Sequence, residues 1–395
     1  MMTDTSRRDA QVWAKWFWAE YFGHWLSQVR DGDAGVFDAL DENGAPDVAA
    51  TKSVLAQART LFTVSHAALL SQVPALIAAA NTQAAFLDRY RKAPGLYRTA
   101  ANRDGSPTGD AVHEAARSYD QTFVILSLVT LNKIAPSSDT VKLIEECWTA
   151  LQTHLTDPDT GLLLNDDIGA NTNPAQNPHM HLYEACLQAY RMTREPLWLD
   201  RAAELRRIGL QYFMDQESGS IAEFLTPDLK PLPANDGLRR ETGHQCEWAW
   251  LLLEEADLAD SPDLELPAKQ LLAFADTHGF AHDGPLAGAA LDAVLSNGAI
   301  HEHSFLLWPQ TEAIKALALR HTAGDPHVGE RACALLCLMF EHWFKDRPTY
   351  INQLDPSGTT IWPEALTRLM YHVVLAMTEG ARAGLWPDIP RHDST

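Results

Sequence analysis

Cationic residues are scarce in this chain: 31 Lys+Arg stand against 52 Asp+Glu over 395 residues, a formal net charge of −21. A surface this acidic repels phosphate backbones and anionic headgroups, so nucleic-acid and membrane-surface partners find no support. Cysteine is sparse as well. The five thiols, Cys147, Cys186, Cys246, Cys333 and Cys337, are odd in number, lie in apolar surroundings and include no C-x-x-C pair. Reduced, buried cysteines in a cytoplasmic protein are expected. No run of about 18 uncharged apolar residues could span a bilayer, and the beginning of the chain leads into an amphipathic stretch rather than a signal-peptide core. Also missing are G-x-G-x-x-G, the P-loop, G-x-S-x-G and H-E-x-x-H, which leaves nucleotide cofactors, serine hydrolysis and zincin chemistry without a motif.

Helical periodicity fills much of the rest. Apolar residues recur at helical spacing over 8–29, 52–71, 73–92, 114–133, 138–154, 179–193, 195–215, 243–259, 262–278, 304–322, 325–342 and 362–384. Short links near 72, 134–137, 194, 260 and 323–325 alternate with long ones over 30–51, 93–113, 155–178, 216–242, 279–303 and 343–361. Links of the second kind exceed ordinary loop lengths, and their alternation collects them at one end of a helical array. They also resemble one another. Gly35-Val36-Phe37, Gly95-Leu96-Tyr97, Gly161-Leu162, Gly219-Ser220-Ile221 and Gly279-Phe280 follow successive helices roughly every 60 residues, and Tyr350-Ile351 is a sixth without the glycine. Six helical hairpins of this kind predict an all-α fold closed as an (α/α)6 barrel. No linker splits the chain, so one domain over residues 1–395 is expected.

The helices that follow the long links carry the polar and aromatic clusters and are predicted to line the inside. They hold Arg59, Tyr119-Asp120, Asn177-Pro178-His179-Met180-His181, Gly243-His244-Gln245-Cys246-Glu247-Trp248, Trp308-Pro309-Gln310-Thr311-Glu312 and Tyr371-His372. His244 and Glu247, three apart, share a helix face, and a carboxylate beside an imidazole raises its pKa and sets its tautomer. The H-x-H pairs His179/His181 and His301/His303 suggest a metal, but residues two apart on a helix diverge, so no metal site is expected. Arg59 is the one cation in its apolar neighbourhood, and a salt bridge to Glu247 or Glu312 is its plainest structural role.

Taken together, these segments resemble the N-acylglucosamine 2-epimerase superfamily over essentially the whole chain. The most specific pieces are Asn177–Ala185, Gly243–Leu252, Leu307–Ala313 and Tyr371-His372. The resemblance implies an (α/α)6 barrel and proton transfer on an aldose through a cis-enediolate, with no cofactor. It implies His244 and His372 as acid/base residues, Glu247 orienting His244, and Arg59 stabilising the enediolate oxygen. Tyr119, Asn177, His181 and Trp308 are implied to bind the sugar, with Glu312 among them. Imidazole suits the reaction, because a base near neutral pKa must take the proton and return it.

The Asn-Pro-His-Met-His-Leu and Leu-Trp-Pro-Gln-Thr-Glu-Ala segments resemble those of the superfamily's mannose isomerases, so D-mannose–D-fructose interconversion by a monomer or homodimer is the first expectation. A sugar 2-epimerase is the alternative, followed by an (α/α)6 glycoside hydrolase using two of Asp120, Glu247 and Glu312. Trp362, ten positions before His372, stands too far upstream to match the tryptophan of disaccharide epimerases. A phosphorylated or sulfonated sugar would need a cationic pocket, for which Arg98, Arg103, Lys230, Arg239 and Arg240 are available.

Overall fold

The computed structural model describes residues 3–392. Its long helices alternate between two layers. The first outer element runs through α1 (Thr3–Trp16), a π-helical turn at Phe17–Tyr21 and α2 (Phe22–Val29). The later outer helices are α4 (Pro74–Leu87), α6 (Ser138–His154), α8 (Pro196–Phe213), α10 (Glu265–His278) and α12 (Pro326–Met339). Between them come the inner helices α3 (Val54–Ser71), α5 (Ser118–Ile134), α7 (Gln176–Thr193), α9 (Thr242–Ala259), α11 (Leu307–Thr322) and α13 (Met370–Arg382). Each inner helix packs against the next, and α13 returns to α3, so the ring is closed. The fold is the (α/α)6 barrel expected from the links.

Burial separates the layers for a physical reason. Every residue from Val54 to Ser65 in α3 and from Thr242 to Leu252 in α9 is buried, since an inner helix meets protein on all sides. In α6 only a stripe, Ile144, Cys147, Ala150 and Leu151, is buried. Tight reversals join inner to outer helices. Gln72, Arg194 and Asp260 end α3, α7 and α9 in left-handed conformation (φ 58°, 62° and 51°), and Pro74, Pro196 and Pro326 open the outer helices.

One helix start differs from expectation. Residues 362–366 are not helical: Thr360–Trp362 pairs with Gln353–Leu354, Ala365–Leu366 pairs with Ala39–Leu40, and α13 begins only at Met370. Pro363 explains the delay, since it disfavours helix at Trp362 and donates no backbone hydrogen bond.

Two repeated devices hold the inner helices. Short strand contacts tie each long link to the next around the mouth: Lys52–Ser53 with Ala100–Ala101, Arg117 with Asp166, Ala175 with Phe224, Arg239–Glu241 with Ala293–Leu295, Phe305–Leu306 with Gln353–Leu354, and Ala365–Leu366 with Ala39–Leu40. This collar closes on itself just above the helix starts. The second device is a side-chain clamp. Gln57, Gln121, Gln245 and Gln310 each bond both the N–H and the C=O of one hairpin residue, Val36, Tyr97, Ile221 and Ala290 respectively. In the third repeat His179 Nε2 replaces glutamine and accepts the Leu163 N–H at 2.9 Å. These clamps point outward from the barrel axis. Two residues along a helix is a rotation of about 200°, so Arg59, Phe123, His181, Glu247 and Glu312 are all turned toward the axis.

Candidate active site

The collar surrounds a cavity of about 270 Å³ that opens among the long links, close to the lower end of the usual small-molecule range of about 300–1,000 Å³. Its wall includes Arg59, Tyr119, Asn177, His181, His244, Glu247, Trp308 and His372. Of the catalytic and sugar-binding residues implied by the resemblance, all but Glu312, which stands behind His372, therefore converge there. The wall also holds Glu223, Phe224, Glu241, Asn352, Trp362 and Arg368 from the long links and the turn before α13, none of which had been marked as a site residue.

Each cavity histidine is oriented through Nδ1 by a carboxylate. His372 donates to Glu312 Oε1 at 2.8 Å and His181 to Glu184 Oε2 at 3.0 Å. His244 donates to Glu223 Oε2 at 2.7 Å, and Glu241 Oε2 lies 3.3 Å from the same nitrogen. The expected pairing of His244 with Glu247 is thus corrected. The shared helix face is real, but Glu247 follows the inward rotation of its helix while the imidazole meets Glu223, 21 residues earlier, at the collar. Glu223 is itself fixed by the Glu241 N–H at 2.9 Å and by Gln176 Nε2 at 3.0 Å, and Gln176 accepts from Trp248 Nε1 at 2.6 Å.

The surroundings drive the two catalytic candidates apart. Burial lowers the pKa of His244, but the charges of Glu223 and Glu241 outweigh it and raise the value to about 9. His372 lies well below 6.5, through burial and then the cations Arg59 and Lys315. Near neutral pH one imidazole is a proton donor and the other a free base. Trp308 stands between them, its ring centroid 4.9 Å from that of His244 and 6.0 Å from that of His372.

Arg59 makes neither salt bridge proposed for it. Its Nη2 donates to Tyr119 Oη at 2.7 Å and its Nη1 lies 3.3 Å from His372 Nε2, while its guanidinium carbon sits 4.0 Å from the Phe123 ring centroid and 4.9 Å from that of Tyr371. A cation held by aromatic faces and neutral acceptors keeps its charge available to a ligand. Glu312 instead meets Lys315 at 2.5 Å. Asp120 bonds Arg117 at 3.0 Å and does not line the cavity.

The cationic residues of the long links are committed elsewhere. Arg98 pairs with Glu114, Arg103 with Asp31, Lys230 with Asp228, Arg239 with Glu241 and Glu302, and Arg240 with Asp215. The H-x-H pair diverges as helix geometry requires, His179 to its clamp and His181 to the cavity. Three groups, His181/Glu184/Glu247, Glu223/Glu241/His244 and Glu247/Glu312/His372, bring possible metal-ligand atoms within 4.8 Å of one another. In each, the histidine Nδ1 already bonds a carboxylate, which a cation would have to displace. The cysteines are free, four buried and Cys337 half-buried. Among the described residues no helix is long and apolar enough to cross a membrane.

Residues 35–376 match the family model for N-acylglucosamine 2-epimerase. The chain belongs to the N-acylglucosamine 2-epimerase family. As an N-acylglucosamine 2-epimerase family member, an isomerase/epimerase class of enzyme, it is 28% identical over 305 residues to a mannose-6-phosphate isomerase of Rhizobium meliloti, covering 76% of each chain. It is also 28% identical over 239 residues to a D-mannose isomerase of Marinomonas mediterranea, covering 56% of this chain and 59% of that one. Among solved structures, a cellobiose 2-epimerase from Spirochaeta thermophila superposes with a TM-score of 0.82 at 20% identity, covering 97% of this chain and 98% of that one. A D-mannose isomerase superposes equally well, TM-score 0.82 at 20% identity over 95% and 98%. These structural likenesses establish the family member's fold.

Proposed function

We propose that the protein interconverts D-mannose and D-fructose by proton transfer through a cis-enediolate. The observation that carries this reading is the pair of cavity histidines, each oriented by a buried carboxylate and displaced in opposite directions in pKa. On the open-chain aldose, His372 Nε2 takes the proton from C2, and the C–H electron pair becomes the C1–C2 double bond. The carbonyl π electrons move onto O1, where Arg59 meets the growing charge and the His244 imidazolium supplies a proton. Returning the proton from His372 to C1, with loss of the O2 proton to His244, yields the ketose and restores both imidazoles. Tyr119, Asn177 and His181 bind hydroxyls, and Trp308 packs against the C–H face of the sugar. Return of the proton to C2 from the opposite face would give an epimer.

Incubation with D-mannose in D2O, followed by NMR, tests the reading. Fructose carrying deuterium at C1 is expected; deuterated glucose without fructose would turn the assignment to epimerase, and neither product nor exchange would remove it. A phosphorylated aldose is the second reading, favoured by Arg368, a half-exposed cavity cation with no carboxylate partner among the described residues. Mannose 6-phosphate belongs in the same panel.

A further inference from the structure

Glu247 is a buried carboxyl left unsatisfied by its surroundings. It is fully buried, lines the cavity, and neither carboxyl oxygen has a hydrogen-bond partner among the described residues. His181 Nδ1 and Lys315 Nζ each lie 3.8 Å from Oε1. Both are engaged with other carboxylates, His181 with Glu184 and Lys315 with Glu312. The groups around Glu247 are therefore His181 and Glu184 from α7, Glu312 and Lys315 from α11, His372 from α13 and His244 on its own helix.

An ionised carboxylate has several acceptor sites and no donor, and leaving them empty in a buried pocket is costlier for a charged group than for a neutral one. A third anion beside Glu184 and Glu312 adds repulsion. Burial, then Glu312, displace the equilibrium of Glu247 well above the ordinary carboxyl range despite Lys315. Protonation relieves both costs and leaves one O–H with no hydrogen-bond acceptor among the described residues.

We propose that Glu247 stands in the resting protein as a neutral carboxylic acid and donates its O–H to the sugar oxygen that takes up charge during enolisation. This rests on the isomerase reading for its substrate and not for its protonation state. A neutral donor suits the position, because an anion there would oppose the enediolate that Arg59 and His244 stabilise, whereas a fixed O–H strengthens as charge develops. It also separates the carboxyl roles by chemistry: Glu223 and Glu312 accept from imidazoles, while Glu247 gives.

The test is infrared difference spectroscopy of the wild type against Glu247→Gln at neutral pH, in H2O and D2O, with kinetics on mannose. A protonated-carboxyl C=O band that moves down in D2O and vanishes in Glu247→Gln is expected. The amide retains an N–H donor, so its kcat stays within about tenfold, whereas apolar Glu247→Met loses about 100-fold or more. Absence of the band from the difference spectrum, or Glu247→Gln as inactive as Glu247→Met, overturns the proposal. If the glutamine variant does not fold, Glu247→Met, checked by its melting temperature, replaces it in the subtraction. Failure of the wild type to turn over mannose defeats the isomerase reading, and the infrared band still decides whether the acid is neutral.

Discussion

Glu223 accepts the His244 Nδ1–H at 2.7 Å across 21 residues of chain, which makes a collar residue, not a neighbour on the helix, the partner that sets the charge of this imidazole. The bond joins the fourth long link to the start of α9. It converts a histidine that burial alone would neutralise into an imidazolium with a pKa of about 9.

Removing that charge has a predictable sign. Glu223→Gln keeps the size of the group but loses the charge that most raises His244, so the alkaline limb of kcat/KM, set near pH 9 by loss of the His244 proton, moves to lower pH by about one unit or more. The pH–rate profile checks this. An unmoved alkaline limb would show that His244 does not act as the acid.

The two histidines are expected to fail differently. His372→Asn removes the base, so both ketose formation and washout of deuterium from [2-2H]mannose fall by about 10²–10⁴-fold. His244→Asn leaves His372 in place and slows product formation more than washout. Equal losses in both assays would mean that the imidazoles act as one unit.

Gly243, next to His244, is packed so closely that a Cβ there would lie 2.3 Å from Trp308 Cζ3, 2.6 Å from its Cη2 and 3.0 Å from Pro309 Cα. Gly243→Ala should therefore push the indole from between the two histidines. KM is expected to rise severalfold with kcat lowered as well, measurable by steady-state kinetics and by a change in tryptophan fluorescence. A wild-type KM would deny Trp308 its place under the sugar.

The buried histidines lose their stabilising contribution before acid protonates ordinary carboxylates, whereas Glu247, neutral in the fold, contributes with the opposite sign. Burial holds His66 and His181 at about 4 and His179 at about 3, with His372 also well below 6.5. Because these folded values lie below the unfolded one, the stability is fully present above about pH 6.5. It is lost as pH falls toward 4, with a slope of about 1.4 kcal/mol per pH unit for each histidine. His244 has the opposite sign: its contribution is full below about 6.5 and is lost as pH rises through about 9. NMR titration should find the His66, His179 and His181 rings neutral from pH 7 down to pH 5, and an imidazolium signal in that range would contradict their buried, neutral state.

Much of this was legible in one dimension. The alternation of short and long links placed every long link at one end of the barrel, and the helices after the long links proved to be the inner ones. The spacing of two from Gln57, His179, Gln245 and Gln310 to Arg59, His181, Glu247 and Glu312 was also in the sequence and went unread. A repeated glutamine followed two positions later by a charged group is a signal of rotation, and it would have separated His179 from His181. The start of α13 was misplaced because helical periodicity resumes before Pro363 is passed.

The sequence by itself determined the class of fold and the residue types that meet in the cavity, since periodicity, link length and motif chemistry are local properties of the chain. Only the tertiary structure decided which carboxylate serves which imidazole. Glu223 reaches His244 because the collar brings the fourth link over α9. Glu312 reaches His372 because α11 and α13 are neighbours in a closed ring. Glu247 is left without a hydrogen-bond partner among the described residues because its helix is clamped with that face toward the axis. The pKa values of two like residues are pushed in opposite directions by charges many residues away in sequence, and only folding brings those charges within bonding distance.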